Sequence, residues 1–99
     1  MAIVTESYIL ERDLGGIIYP PTALNAIDEA LESGVLVSYT KTLITDPLQV
    51  VPGKEKFNVV RVFRSAEDRQ NFIDAGNESA ELQSYWITSN TKKNNLIIS

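Results

Sequence analysis

Arg61 draws attention because its charged side chain stands between apolar residues in an extended segment. In residues 57–65, FNVVRVFRS, strand alternation puts Arg61 on the same side as Val59 and Phe63. A buried guanidinium without a partner is costly, so it must bind either a ligand's carboxylate or enolate or an acid of the protein. We expect the second case, an ion pair with Glu6, Glu11 or another acid across the sheet or a dimer.

Aromatic side chains on the predicted strands are the other candidates for a binding site. Tyrosine and tryptophan combine an apolar body with a polar tip, which can orient a small molecule in a pocket. The predicted ligand-binding residues are Tyr8, Tyr39, Arg61, Phe63, Tyr85 and Trp86. The same aromatic residues could instead fill a sheet core or an interface, which is their commoner role. The pattern assigns no catalytic residue.

The chain contains neither cysteine nor histidine. Disulfides, a thiolate nucleophile and Cys-based metal sites are therefore excluded, and the usual acid–base group of neutral pH is absent. We expect no metal and no cofactor. The Gly15-Gly16 pair lacks both the Lys-Ser/Thr of a phosphate-binding loop and the spaced glycines of a dinucleotide site, so we reject those functions.

Charge and hydropathy argue against two classes of partner. The formal net charge is −4, whereas nucleic-acid binding normally rests on clustered lysine and arginine. No stretch approaches the ~18 apolar residues of a membrane span, and the first ten residues do not form a signal peptide. We expect a cytoplasmic protein that binds neither nucleic acid nor membrane.

Periodicity predicts strands separated by two helices. The predicted strands span residues 3–12, 35–44, 57–64 and 82–88, and a polar turn then leads to a short strand at 96–98. The long connection 45–56 carries Leu48, Val50 and Val51, so we expect it to pack on another surface.

Capping signals mark the two predicted helices. Thr22 is the predicted N-cap of the first, and Gly34 is its predicted end. The apolar stripe of this helix comprises Leu24, Ile27 and Leu31, with Ala23 and Ala30 beside it. Residues 65–68 have the form of a capping box, which predicts a second helix ending near Gly76.

The resulting order, β-α-β-β-α-β, predicts an α+β fold of ferredoxin-like type in a single domain spanning residues 1–99. In that fold a four-stranded antiparallel sheet carries both helices on one face. All four long predicted strands nevertheless carry apolar residues on both sides. Leaving four or five such residues exposed would forfeit about 10 kcal/mol, so we expect a homodimer that pairs through the second sheet face. A monomer with a wet face and burial by an unrelated chain are the alternatives.

In element order and strand character the chain resembles the dimeric α+β-barrel superfamily of ferredoxin-like proteins, in particular its antibiotic-biosynthesis-monooxygenase-like and uncharacterised branches. The haem-binding branch uses a histidine ligand, which this sequence lacks. The resemblance implies a pocket for a small hydrophobic molecule. We expect a homodimeric small-molecule-binding protein with an apolar or amphipathic pocket. The alternatives are a cofactor-independent monooxygenase- or isomerase-type enzyme and a ligand-free structural or regulatory dimer.

Overall fold

A computed structural model describes residues 2–14 and 20–99 of the chain, so the Gly15-Gly16 pair lies outside the described residues. Four antiparallel strands form one sheet in the order β2-β3-β1-β4. The strands are β1 (Val4–Asp13), β2 (Leu36–Leu43), β3 (Lys54–Phe63) and β4 (Lys92–Ile98). The helices are α1 (Pro21–Ser33), α2 (Ala66–Glu78) and α3 (Ala80–Thr88). This arrangement confirms the predicted α+β, ferredoxin-like fold class.

The segment predicted as the last long strand, residues 82–88, is a helix, and that prediction is wrong. Ser79 caps α3, because its hydroxyl accepts a hydrogen bond from Leu82 N at 3.3 Å. Glu81 lies in the first turn, where a carboxylate favours the helix dipole. Leu82 and Tyr85 are then buried together at helical spacing, whereas a strand would have put them on opposite faces.

The fourth strand of the sheet is therefore β4, most of which was predicted to be a polar turn. Ser7 lies opposite Ile97 and Ile9 lies opposite Asn94, so β4 has one residue more than β1 between these two pairs. Asn95 has a φ of 57° at this point. The extra residue forms a β-bulge, and asparagine is one of the few residues that tolerate its left-handed backbone.

Helix α1 starts before its predicted cap. Pro20 is the N-cap residue and makes no side-chain capping bond, so the prediction that Thr22 caps this helix is wrong. The Thr22 hydroxyl donates instead to Glu81 Oε2 at 2.8 Å and so links α1 to α3. Gly34 ends α1 with a φ of 85°, as predicted. The predicted cap of α2 is also confirmed, since Ser65 Oγ accepts a hydrogen bond from Asp68 N at 3.1 Å.

The buried side of α1 is its alanine side. Ala23 and Ala30 are buried, whereas Leu24 and Leu31 are 54% and 39% exposed. Of the predicted stripe, Leu24 and Leu31 thus face away from the sheet, whereas Ile27 packs on the core. Because alanine side chains end at Cβ, the helix leaves space between itself and the sheet.

The two faces of the sheet differ, and the structure places Arg61 on the side that the three helices share. We call this side the covered face, and it also carries Glu6 and Tyr8. A small core on this side consists of Ala30, Leu36 and Phe63, against which Ile27, Val35 and Phe72 pack. We call the other side the open face, and its central residues are Ser7, Ile9, Thr40, Asn58, Val60, Val62 and Ile97. Each of these open-face residues is half-buried or exposed.

The connection between β2 and β3 is mostly exposed. Asp46 Oδ1 accepts a hydrogen bond from Leu48 N at 2.9 Å, which orders the turn. Leu48 is 94% and Val51 50% exposed, whereas Val50 is half-buried. Among the described residues, the expectation that this segment packs on another surface is therefore wrong for Leu48 and Val51.

Candidate ligand-binding cavity

A cavity of about 860 Å³ lies between the covered face and the three helices. We call it the inner cavity. Five of the six predicted ligand-binding residues line it, namely Tyr8, Tyr39, Arg61, Tyr85 and Trp86. The sixth, Phe63, is fully buried in the core beside the cavity and is not part of its lining. The volume falls in the range typical of small-molecule sites.

Tyr85 and Trp86 line the cavity from a helix, although the sequence predicted them on a strand. Both residues belong to α3 and not to a strand. Trp86 packs against α2 at Gly76, where an added Cβ would lie 3.4 Å from its ring. The glycine therefore lets the two helices approach closely enough for the indole to close one side of the cavity.

Arg61 is held by the carboxylate of Glu6 on the neighbouring strand, as we expected. Glu6 is 1% exposed, and its Oε1 accepts a hydrogen bond from Arg61 Nε at 2.7 Å. Its Oε2 accepts another from Arg69 Nε of α2 at 2.8 Å. Burial alone would raise the pKa of Glu6, but the two guanidinium groups outweigh that effect and hold the pKa below its usual value. The cluster therefore places two cations around one anion.

The Arg61 guanidinium is also enclosed by aromatic rings. Its central carbon lies 5.4 Å from the ring centroids of Tyr8 and Phe63 and 5.5 Å from that of Phe72. Its Nη2 atom contacts Glu6 in the ion pair, but it has no aligned hydrogen-bond partner among the described residues. A buried donor in this state gains free energy from any acceptor that reaches it.

A second cluster joins the sheet to α3. Arg12 Nε donates to Glu55 Oε1, and Arg12 Nη1 donates to the Tyr85 hydroxyl at 2.8 Å. The Arg12 guanidinium also lies 5.0 Å from the Phe57 ring centroid. These contacts fix the orientation of the Tyr85 ring at the cavity wall.

Lysines from the two edge strands complete the polar wall. Lys41 Nζ of β2 lies 4.4 Å from the Phe57 ring centroid, and Lys93 Nζ of β4 lies 5.0 Å from that of Tyr8. Burial lowers the pKa of Lys41, and Arg12 lowers it further. Burial likewise lowers the pKa of Lys93 to about 8, with repulsion from Arg61 adding to the effect.

Tyr39 keeps its proton at neutral pH. Burial raises the pKa of its phenol, and the nearby cations Arg61 and Arg12 only partly oppose this. Tyr39 can therefore donate a hydrogen bond to a ligand, but it cannot serve as a phenolate base.

The sequence contained signals for some of the residues that we missed. Leu10 and Arg12 share a strand face with Tyr8, and Lys41 shares one with Tyr39, so simple alternation places all of them on the cavity side. Lys93 gave no such signal, because its segment was predicted to be a turn.

Within residues 2–14 and 20–99, no group of three or more acidic, histidine or cysteine side chains is arranged to hold a metal ion. No helix in the same ranges is long and apolar enough to cross a membrane.

Comparisons of the chain with protein-family models, with curated proteins and with solved structures found no match. The structure supports the ferredoxin-like fold, whereas membership of the dimeric α+β-barrel superfamily, and of any of its branches, stays a prediction.

Proposed function

We propose that the protein binds a small amphipathic molecule in the inner cavity. The observation that supports this most directly is the cavity itself, about 860 Å³ between sheet and helices. The wall formed by the helices presents apolar residues such as Ala26, Ile27 and Leu82, beside polar ones that include Glu29 and Asp68. The facing wall comes from the sheet and carries the polar groups described above. A ligand with an apolar body and one polar end matches this division.

Native mass spectrometry of the purified protein, followed by the same measurement under denaturing conditions, tests the proposal. We expect an additional mass that is retained in the first spectrum and lost in the second. Ala26→Phe fills the cavity and should abolish retention. Ala66→Phe is the matched control, because Ala66 is an exposed alanine on α2 outside the cavity lining.

A filled cavity without any retained or added ligand would contradict the proposal. In that case crystals of the protein would show side chains occupying the space, and Ala26→Phe would destabilise the fold by overpacking. That outcome would favour the ligand-free structural or regulatory role.

We further propose that two copies associate through their open faces. Ile9, Val60, Val62 and Ile97 are neighbours across three strands there. The polar residues between them are serine, threonine and asparagine. Charged residues of the same face, such as Glu11, Lys56 and Lys92, lie towards one end of it, so two identical faces can meet over the uncharged patch. Sedimentation at high concentration should give twice the chain mass of 11.0 kDa.

An isomerase-type enzyme is the second candidate function, and Lys93 favours it. Near pH 8 a fraction of the Lys93 side chains is present as the neutral amine. This amine could remove a proton from the substrate carbon next to a carbonyl group, while Arg61 stabilises the enolate that forms. The retained molecule distinguishes the two functions. A binding protein returns it unchanged after incubation, whereas an enzyme converts it and Lys93→Met stops the conversion.

A further inference from the structure

The covered face gives the inner cavity a basic wall to which every strand contributes one cation. These cations are Arg12, Lys41, Arg61 and Lys93. Four of the chain's nine lysines and arginines therefore line the cavity, against two acidic residues of the described lining, Glu29 and Asp68. A concave site with an excess of one sign of charge attracts ligands of the opposite sign.

Lys93 differs from the two arginines of the cavity in its ion pairing. Arg61 is paired with Glu6 and Arg12 with Glu55. Lys93, in contrast, forms no ion pair with any residue of the described ranges, and its ammonium lies over the Tyr8 ring. The Lys93 residue is exposed, and the pKa of its ammonium is lowered because neighbouring atoms partly desolvate it and Arg61 repels it.

Lys93 and Arg61 converge on the same aromatic ring. The Lys93 ammonium is 5.0 Å and the Arg61 guanidinium carbon 5.4 Å from the Tyr8 ring centroid. The buried Nη2 of Arg61 has no aligned acceptor among the described residues. A planar anion beside Tyr8 would accept hydrogen bonds from both cations, and charge-assisted bonds of this kind are among the strongest in proteins.

We infer that the inner cavity binds an organic acid, with its carboxylate held between Lys93 and Arg61 beside Tyr8 and its apolar body against the helices. This inference rests on the proposed function, since it specifies the ligand class of the same cavity. It goes further because a neutral amphipathic molecule would satisfy the proposed function equally well.

Two matched ligand pairs test the charge of the head group. The probes are decanoate with decan-1-ol and cyclohexylacetate with 2-cyclohexylethanol, each titrated at pH 7 into the full-length protein. Trp86 is the chain's single tryptophan and lines the cavity, so its fluorescence reports occupancy, and calorimetry supplies the affinity. We expect each acid to bind about tenfold more tightly than its alcohol, as a charge-assisted hydrogen bond predicts.

Lys93→Met should remove most of this preference and leave the affinity for the alcohols unchanged. Lys92→Met is the control, because Lys92 neighbours Lys93 on β4 but lies opposite Glu11, on the other side of the sheet. It should leave both affinities unchanged. Arg61 is unsuitable for this test, since its removal would leave the buried Glu6 with one partner fewer.

The possible failures are distinguishable. Equal binding of acid and alcohol would overturn the organic-acid inference while supporting the cavity as a ligand site. The same holds if Lys93→Met keeps the preference, which would exclude Lys93 as the anchor. No binding of any of the four probes, with no Trp86 response, would overturn the proposed function together with the inference.

Discussion

The Glu6 carboxylate explains how an arginine can stand in the middle of an apolar strand. Its two oxygens face Arg61 from β3 and Arg69 from α2, so one buried anion is shared by two cations. Removing one partner from a buried ion pair leaves an uncompensated charge, which is far more destabilising than losing a surface pair. Glu6 therefore stabilises the fold and at the same time leaves the cluster with excess positive charge.

Glu6→Gln should lower the free energy of unfolding by about 3 kcal/mol, because two buried guanidinium groups lose their counter-ion. Urea denaturation monitored by circular dichroism measures this change. Glu11→Gln is the control on the same strand, since Glu11 pairs with Lys56 at 3.5 Å on the other side of the sheet. It should cost no more than about 1 kcal/mol. Equal effects of the two variants would contradict the central role of Glu6.

The lowered pKa of Glu6 also sets the sign of an acid effect. A carboxyl group whose pKa is lower in the folded state stabilises the fold above its unfolded pKa, which for glutamate is about 4.5, and this stability is lost as pH falls through the folded pKa. Unfolding free energy should therefore decline on acidification below about pH 4.5. The decline should be shallower in Glu6→Gln, and identical slopes in the two proteins would exclude Glu6 as its source.

Lys93 predicts a pH dependence of organic-acid binding on the alkaline side. The groups that face it are Glu6 and Tyr8 from β1, Arg61 from β3 and Arg69 from α2. As pH rises through about 8, the Lys93 ammonium loses its proton. Decanoate affinity measured by calorimetry should then fall between pH 7 and pH 9 by up to about tenfold, while decan-1-ol affinity stays constant. Lys93→Met should flatten the decanoate profile.

The same lysine should destabilise the protein when no ligand is bound. Because its pKa is lowered on folding, the folded state disfavours the ammonium, and this penalty applies in full below about pH 8. Because Lys93 is an exposed residue, solvent screening keeps this penalty small, and Lys93→Met should raise the melting temperature at pH 7 only slightly, although it weakens acid binding. Lys92→Met should leave the melting temperature unchanged. A lower melting temperature for Lys93→Met would show that packing of the lysine side chain stabilises the fold more than partial desolvation of its ammonium destabilises it.

At the scale of elements, α3 shows where the sequence prediction reached its limit. The segment LQSYWIT is rich in aromatic and β-branched residues, which favours a strand on composition alone. The cap at Ser79 and the burial of Leu82 and Tyr85 on one side of the segment favour a helix. Packing of this kind depends on residues distant in sequence, so local periodicity could not reveal it.

Ser79→Ala should destabilise the protein by about 1 kcal/mol, because the first turn of α3 loses the acceptor for Leu82 N. Ser84→Ala, at an exposed position of the same helix, should have little effect or stabilise slightly. Thermal denaturation of both variants measures the difference. If both substitutions had the same effect, the capping role of Ser79 would be excluded.

The sequence predicted the site residues that lie on the correctly predicted strands, and it missed or misplaced those on the other elements. Tyr8, Tyr39 and Arg61 belong to β1, β2 and β3, and simple alternation placed each on one side of its strand. Lys93 was missed because the polar sequence at the start of this edge strand is also typical of a turn. Trp86 was identified by residue type alone, since its predicted element was wrong.

At the scale of the whole molecule, the proposed dimer depends on the open face. Val60 is 36% exposed at the centre of this face, between Ser7 on β1 and Thr40 on β2. Val60→Asp would place two carboxylates in the proposed interface and should convert the dimer to a species of 11.0 kDa. Ile87→Asp is the control, because Ile87 is exposed on α3, on the helix side. Sedimentation velocity distinguishes the species, and a wild-type monomer at high concentration would rule out the dimer.

The bulge at Asn95 has a consequence for how this cavity could change in evolution. If β4 kept all its residues but paired without the bulge, counting back from Ile97 would put Asn94 opposite Leu10 and Lys93 opposite Glu11, on the open face. A substitution such as Asn95→Val, which disfavours the left-handed backbone, could thus exchange a charged anchor for a neutral amide without altering any residue of the cavity wall. One irregular residue in the last strand would then decide between a preference for acids and a preference for neutral compounds.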